Sequence, residues 1–173
     1  MESAHFHLLV NHLPFIIPGV ASIVLIAGLV MKSDVIKRVA FAIFIMGAIS
    51  TMPAFFSGEE AEEAIEHMPE ISHRLIHAHE EAAESFAILS YLVGVMSALS
   101  LWANWRKRKP ANIAQYLVLA MAAVVIYYAK ITGTSGGEIR HSEIRSEAAI
   151  QKAASDAQGG SGENSEQEEG EHD

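Results

Sequence analysis

Four apolar stretches that contain no charged side chain constrain this sequence more than any other feature. Each is 18 or 19 residues long, and they cover Leu13–Met31, Val39–Phe56, Phe86–Ala103 and Ala111–Ala129. A helix of about 20 apolar residues crosses the hydrocarbon core of a bilayer, and about 17 is near the lower limit. A soluble helical core has room for one such segment, but four in succession are not expected there. The sequence therefore predicts an all-α integral membrane protein with four spans.

Charge placement predicts how these spans are oriented. The two short connections, Lys32–Arg38 and Asn104–Pro110, hold seven of the twelve basic residues and one of the 21 acidic residues, Asp34. The positive-inside rule places such loops in the cytoplasm, so both termini are expected outside. Trp102 and Trp105 stand where an aromatic belt would lie. We therefore expect an up-down four-helix bundle in the bacterial inner membrane, in contact with the lipid bilayer.

Composition excludes several other classes of protein. The chain has 173 residues, a net charge of -9 and no cysteine, which rules out disulfides and thiolate metal sites. Met1–His12 contains no Lys or Arg, so a secretory signal peptide is not predicted. The one basic cluster, Arg106–Lys109, is a topology signal, and nucleic-acid binding is not expected.

The segments outside the spans divide the chain further. The membrane domain is expected over residues 1–132, and its outer helical segment over 58–85 begins with Gly58 as the C-cap of the second span. Gly133–Gly137 predicts a flexible break, and 133–157 predicts an outer surface helix. Residues 158–173 contain mostly Gly, Ser, Gln and acidic residues, which predicts a disordered acidic tail.

Histidines and glutamates are concentrated before the third span, in residues 67–85. On a helix, Glu70, His73, His77, Glu80 and Glu84 fall within an arc of about 80°. A second group of histidines, at positions 5, 7 and 12, precedes the first span. Two helix starts therefore bring imidazoles to the same end of the predicted bundle, and this end is the candidate site. The plain alternative is a set of polar residues at a membrane interface.

Haem b is the first cofactor hypothesis for this site. Imidazoles from facing helices can ligate haem iron on both sides, and a four-helix bundle core can hold the porphyrin. His12 and His77 are the first choice of ligands, with His7 and His73 next. The predicted function is electron transfer, with quinol or a periplasmic redox protein as partner, and binding is favoured over catalysis.

A carboxylate–histidine metal site is the second hypothesis. Two Glu-x-x-His motifs can contribute to such sites in helical bundles, and this chain has Glu70–His73 and Glu138–His141. The candidate ligands for Fe, Cu or Zn are then His73, His77, His79, His141, Glu70, Glu84 and Glu138. No His-Glu-x-x-His motif occurs, because the sequence starting at His79 ends on Ala83, so a zinc peptidase is not expected. A non-redox metal-handling protein and a cofactor-free subunit or assembly factor of a larger membrane complex stay open.

The sequence also resembles an uncharacterised family of small four-span bacterial membrane proteins. The resemblance lies in His7-Leu-Leu-Val-Asn-His12-Leu-Pro14, in the histidines that open the third helix, and in Gly136-Gly137-Glu138 followed by His141. Leu8 departs from the family pattern, which has proline there, and His141 stands closer to Glu138 than in the family. The resemblance implies the fold and the membrane location and marks His7, His12 and Glu138, but it implies no activity.

Overall fold

The computed structural model describes residues 2–63, 72–107, 111–151 and 153–155, and helices make up nearly all of these residues. The helices are α1 (Glu2–Val10), α2 (Leu13–Val30), α3 (Asp34–Glu63), α4 (His73–Trp105) and α5 (Ala111–Arg140). A 3₁₀ helix (Ser142–Ile144) and helical turns at 147–151 and 153–155 follow. Four helices are long and apolar enough to cross a membrane, with α1 and α2 counting as one from His5. The predicted all-helical architecture is confirmed within the described ranges.

The four long helices pack in chain order and alternate in direction. α2 lies against α3, α3 against α4 and α4 against α5, while α5 also meets α2 and closes the ring. α1 continues the line of α2 and packs on α3. One end of the bundle carries the turn between α2 and α3 and the end of α4, and we call it the basic end. The other end, where α1, the end of α3, the start of α4 and the end of α5 lie, we call the histidine end.

Aromatic and branched side chains fill the middle of the bundle. Phe41, Phe44, Leu25, Val118 and Val125 are fully buried there. Backbones also approach closely, because a Cβ atom added at Gly94 of α4 would lie only 2.5 Å from the Cβ of Ala48 on α3. Small residues of this kind allow helices to pack where both faces are apolar.

The outer surface of the bundle is apolar as well. Ile23, Val30, Val95, Leu99 and Ile113 each expose more than half of their accessible surface. Large contiguous apolar surfaces are rare on proteins that stay in water. The surface is therefore compatible with lipid contact, and Trp102 and Trp105 stand exposed at the basic end.

Gly58 does not end the second long helix, contrary to the sequence prediction. α3 continues through it to Glu63, and no described glycine has a positive φ. Gly58 instead allows the His7 ring to pack closely on α3, since a Cβ atom there would lie 3.3 Å from Cε1 of His7. Residues 64–71 of the predicted outer segment lie outside the described residues, as does the predicted acidic tail. Residues 73–85 of that segment form the start of α4.

The break predicted at Gly133–Gly137 is also replaced by helix. α5 runs through all five residues to Arg140, although glycine in a helix interior costs about 1 kcal/mol relative to alanine. Contacts offset this cost, because Gly136 packs on His79 and Gly137 on Ile144. The single surface helix predicted over 133–157 is therefore corrected at its start: residues 133–140 belong to α5, and a 3₁₀ helix at Ser142–Ile144 separates them from the helical residues 147–151 and 153–155.

A polar network joins α3 to α4 at the basic end. Arg38 Nε donates to Asn104 Oδ1 at 2.6 Å, and Asn104 Nδ2 donates to Asp34 Oδ1 at 3.4 Å. Lys37 forms an ion pair with the same Asp34 oxygen at 2.7 Å. Asn104 is buried and links the guanidinium to the carboxylate, so it holds the start of α3 against the end of α4.

We expect Asn104→Ala to destabilise the bundle by about 1–3 kcal/mol, because the change leaves part of a buried network without partners. Thermal unfolding in detergent, followed by circular dichroism, measures this loss. Lys107→Ala is the matched control at the same end, since its side chain is exposed. Equal melting temperatures for the two variants would contradict a structural role for the network.

Candidate functional site

His7 reaches from α1 into the histidine end and docks on α3. Its Nδ1 lies 3.1 Å from the Ala54 carbonyl oxygen and 3.1 Å from Ser57 Oγ. Ser57 is buried, and its hydroxyl donates to the same Ala54 carbonyl at 3.1 Å. Gly58, the next residue, faces the His7 ring and leaves room for it.

His79 docks in the same way from α4 onto α5. Its Nδ1 lies 3.0 Å from Ser135 Oγ, and the Ser135 hydroxyl donates to the Thr132 carbonyl at 3.0 Å. The backbone carbonyl of Thr132 also forms a hydrogen bond with the His79 side chain. Gly136 follows Ser135 and faces the ring, so a Cβ atom there would lie 3.0 Å from His79 Cε1.

These two arrangements repeat each other, and we call each one an imidazole clasp. In the first, His7 rests on Ala54, Ser57 and Gly58; in the second, His79 rests on Thr132, Ser135 and Gly136. The residue spacing is the same: the residue whose carbonyl oxygen accepts lies three positions before the serine, and the glycine follows the serine directly. Each helical hairpin thus supplies one histidine and the surface that holds it.

The clasps determine which ring nitrogen carries hydrogen. A carbonyl oxygen only accepts, and each serine hydroxyl already donates its hydrogen to a carbonyl. Nδ1 of His7 and Nδ1 of His79 must therefore be donors, which leaves the lone pair of each neutral ring on Nε2. Histidines that ligate metals are commonly held in this way, with the other ring nitrogen donating to a protein acceptor.

His7 and His79 both lie at the histidine end, and both side chains are partly buried. We call them the histidine pair. Deeper in the bundle, Phe15 and Phe86 are in contact, with ring centroids 5.1 Å apart, and the apolar middle begins there.

Most of the other predicted site residues lie at the surface. His12, His73 and Glu84 are exposed, and the His77 side chain is 76% exposed. The stripe predicted from the spacing of His73, His77, Glu80 and Glu84 therefore faces outward. Its direction follows from burial of the opposite face of α4, whose members are Leu75, Ile76, Ala82 and Phe86.

The residues after α5 form contacts of their own. Glu138 Oε1 accepts from the Ser146 backbone amide at 2.9 Å, and His141 Nδ1 donates to Glu143 at 3.0 Å. The Glu143 backbone amide and His141 hydrogen-bond the Glu143 carboxylate and lower its pKa. Glu70 lies outside the described residues. Within the described ranges, no three His, Asp or Glu side chains are grouped to hold one metal ion.

No family model, curated protein or solved structure matches the chain. The site is therefore interpreted from its residues alone.

A sequence signal for the clasps exists but is weak. His5-Phe-His7 and His77-Ala-His79 have the same spacing, as do Ser57-Gly58 and Ser135-Gly136. These dipeptides are common in any sequence, and both glycines are more readily interpreted as helix ends. Only the packing of α1 on α3 and of α4 on α5 relates the two patterns.

Gly136→Ala tests the second clasp against a matched control in the same helix. The added methyl group meets the His79 ring, and such overpacking typically costs about 1–3 kcal/mol. Nothing lies within 4 Å of a Cβ atom at Gly133, so Gly133→Ala is expected to stabilise α5 by up to about 1 kcal/mol. Thermal unfolding of the two variants measures the difference. A Gly136→Ala protein as stable as Gly133→Ala would contradict the close docking of His79.

Proposed function

We propose that this chain is an integral protein of the bacterial inner membrane that carries a redox-active metal centre at its histidine end. The centre is b-type haem or a transition-metal ion, bound by Nε2 of His7 and Nε2 of His79. The observation that carries this proposal is the pair of imidazole clasps, which hold two imidazoles at the same end of the bundle and leave Nε2 as the lone-pair nitrogen of each.

The chemistry of the histidine pair supports a metal rather than acid–base catalysis. Neutral imidazole is the commonest side-chain ligand of transition metals, and a six-coordinate haem b takes two protein ligands because the porphyrin supplies the other four. The hydroxyls that contact these rings, those of Ser57 and Ser135, donate to backbone carbonyls and not to the imidazoles, unlike the serine of a catalytic serine–histidine dyad. Binding and electron transfer are therefore favoured over catalysis.

Exposure decides between the histidines that the sequence suggested. His12 and His77 are the first choice from the sequence, but both are exposed, whereas His7 and His79 are partly buried and hydrogen-bonded to α3 and α5. The proposal therefore assigns ligation to His7 and His79.

The placement of the basic connections supports a centre on the outer side of the membrane. Both basic connections belong to the opposite end, and the positive-inside rule puts that end in the cytoplasm. Quinol in the bilayer or a periplasmic redox protein is then the partner within reach of the histidine end.

A visible spectrum combined with elemental analysis tests the metal centre. Protein purified from cells with ample haem is expected to show a reduced-minus-oxidised haem signal or a stoichiometric transition metal. His7→Ala and His79→Ala should each remove it, because each deletes one ligand. His12→Ala and His77→Ala are the matched controls and should retain it. Colourless protein without metal would overturn the proposal, as would loss of the signal in the controls alone.

Single cysteines test the orientation, since the chain has none of its own. Ser142→Cys, beyond α5, is expected to react with a membrane-impermeant maleimide on intact spheroplasts. Lys107→Cys, at the basic end, should react only after the membrane is permeabilised. The reverse pattern would show that the bundle is inverted, and labelling of both sites in intact cells would argue against insertion.

A further inference from the structure

Two lysines at the basic end have a backbone conformation that residues with side chains rarely adopt. Lys32, just after α2, has a φ of 52°, and Lys107, just after α4, has a φ of 51°. The backbone amide of each closes the end of its helix, since Lys32 donates to the Leu29 carbonyl at 3.2 Å and Lys107 to the Asn104 carbonyl at 3.1 Å. Glycine is the usual residue at such a helix end, because a Cβ atom strains this conformation. Both long helices that end here therefore carry lysine where glycine fits better.

Two plain explanations for these lysines differ from each other and from a binding role. The positive-inside rule counts basic residues in a short loop, so a lysine one position further along would serve it equally well without strain. Interaction with the helix dipole is the second explanation, because cations near a helix C-terminus are favourable. A lysine that serves the dipole stabilises the protein by itself, whereas a lysine retained for a ligand does not.

Positive charge at the basic end lacks a counter-charge from the protein. Asp34 is the one acidic residue of the two basic connections, and it is already paired with Lys37 at 2.7 Å. Lys32, Arg106 and Lys107 are exposed, and within the described ranges no carboxylate forms an ion pair with any of them. These three cations are therefore available to an anion from outside the chain.

Exposed apolar side chains lie next to these cations along the chain. Met31 precedes Lys32 and is 66% exposed, and Trp105 stands two residues before Lys107 and is 72% exposed. Val35 is exposed in the first turn of α3. A matching ligand has an anionic group attached to an apolar body. An anionic phospholipid meets both demands, whereas free phosphate or nucleic acid would meet only the demand for charge.

We infer that the basic end binds anionic phospholipid, with the ammonium groups of Lys32 and Lys107 on headgroup phosphates and Met31 and Trp105 beside the acyl chains. The inference goes beyond the metal centre and rests only on the membrane insertion that is part of the proposed function. The two lysines need not share one headgroup, because each basic residue near an anionic lipid surface contributes separately to the attraction.

Tryptophan fluorescence reports on this end of the bundle, because Trp102 and Trp105 are the only tryptophans of the chain. The full-length protein is placed in vesicles of phosphatidylglycerol and phosphatidylcholine, and each lipid in turn is brominated near the top of its acyl chains. Bromine quenches tryptophan on contact, so quenching measures which lipid lies at the basic end. Wild type is expected to prefer the anionic lipid. Lys32→Gly and Lys107→Gly should each lower this preference by up to about fivefold, which corresponds to about 1 kcal/mol for a lysine near the surface.

Matched variants separate the local charge from other effects. Lys32→Arg and Lys107→Arg retain the charge and should retain the preference. Lys130→Gln removes an exposed cation from α5 toward the histidine end and should leave the preference unchanged. Inorganic phosphate should reduce the preference no more than chloride at the same ionic strength. A stronger effect of phosphate would show that the lysines take a free anion, and it would overturn the assignment to lipid.

Thermal unfolding in zwitterionic detergent without lipid distinguishes a ligand role from a role in the fold. Lys32→Gly and Lys107→Gly should each melt about 2–4 °C higher than wild type, because glycine adopts a φ near 50° without strain. Added phosphatidylglycerol should raise the melting temperature of wild type more than that of the glycine variants. Glycine variants that melt lower than wild type would show that the lysines serve the helix ends, and would overturn the inference.

The lipid measurements also separate this inference from the proposed function. A preference for anionic lipid that is equal in wild type and in the glycine variants would overturn the inference alone. Protein that does not insert into vesicles of either lipid would overturn the inference together with the membrane location. The metal centre is tested independently by its spectrum and its dependence on His7 and His79.

Discussion

Close packing at glycine residues determines which face of each helix points toward its neighbours. The bundle is apolar both inside and outside, so burial of apolar surface alone does not fix the rotation of a helix about its axis. Along the bundle, Gly28 packs on Lys37, Gly47 on Ile17 and Gly94 on Ala48, each so closely that a Cβ atom would lie within 3 Å of its neighbour. At the histidine end, Gly58 and Gly136 receive imidazole rings instead. The same close packing at glycine therefore holds the helices together and lets His7 dock on α3 and His79 on α5.

The number of helices and the placement of the basic connections could be predicted because both depend on local sequence. A charge-free apolar stretch predicts a long helix, and a basic loop predicts one end of the bundle. Helix ends are harder to predict: glycine alone favours a break at Gly58 and at Gly133–Gly137, but α3 and α5 continue through these residues, which pack on His7, His79 and Ile144. The contacts with His7 and His79 join residues more than 50 positions apart in the chain, and no local pattern contains them.

For the candidate site too, the face of the helix on which a residue lies could be predicted from the sequence, whereas its contacts with other helices could not. The spacing of His73, His77, Glu80 and Glu84 made a stripe that suggested ligands, yet the stripe faces outward because Leu75, Ile76, Ala82 and Phe86 occupy the other face. His79 lies on the same face of α4 as Ala82 and Phe86, and the helical spacing of the sequence predicts this. Its docking on Ser135 could not be predicted, because it depends on how α4 lies against α5.

The imidazole clasps also have a mechanical consequence. Each clasp lies within one hairpin, so neither ties the two hairpins to each other at the histidine end. A group bound between His7 and His79 would act as a cross-link between the two halves of the chain, and every ligand that binds only the folded state adds to its stability by mass action. How firmly the two hairpins are held together at the histidine end would then depend on whether this group is bound.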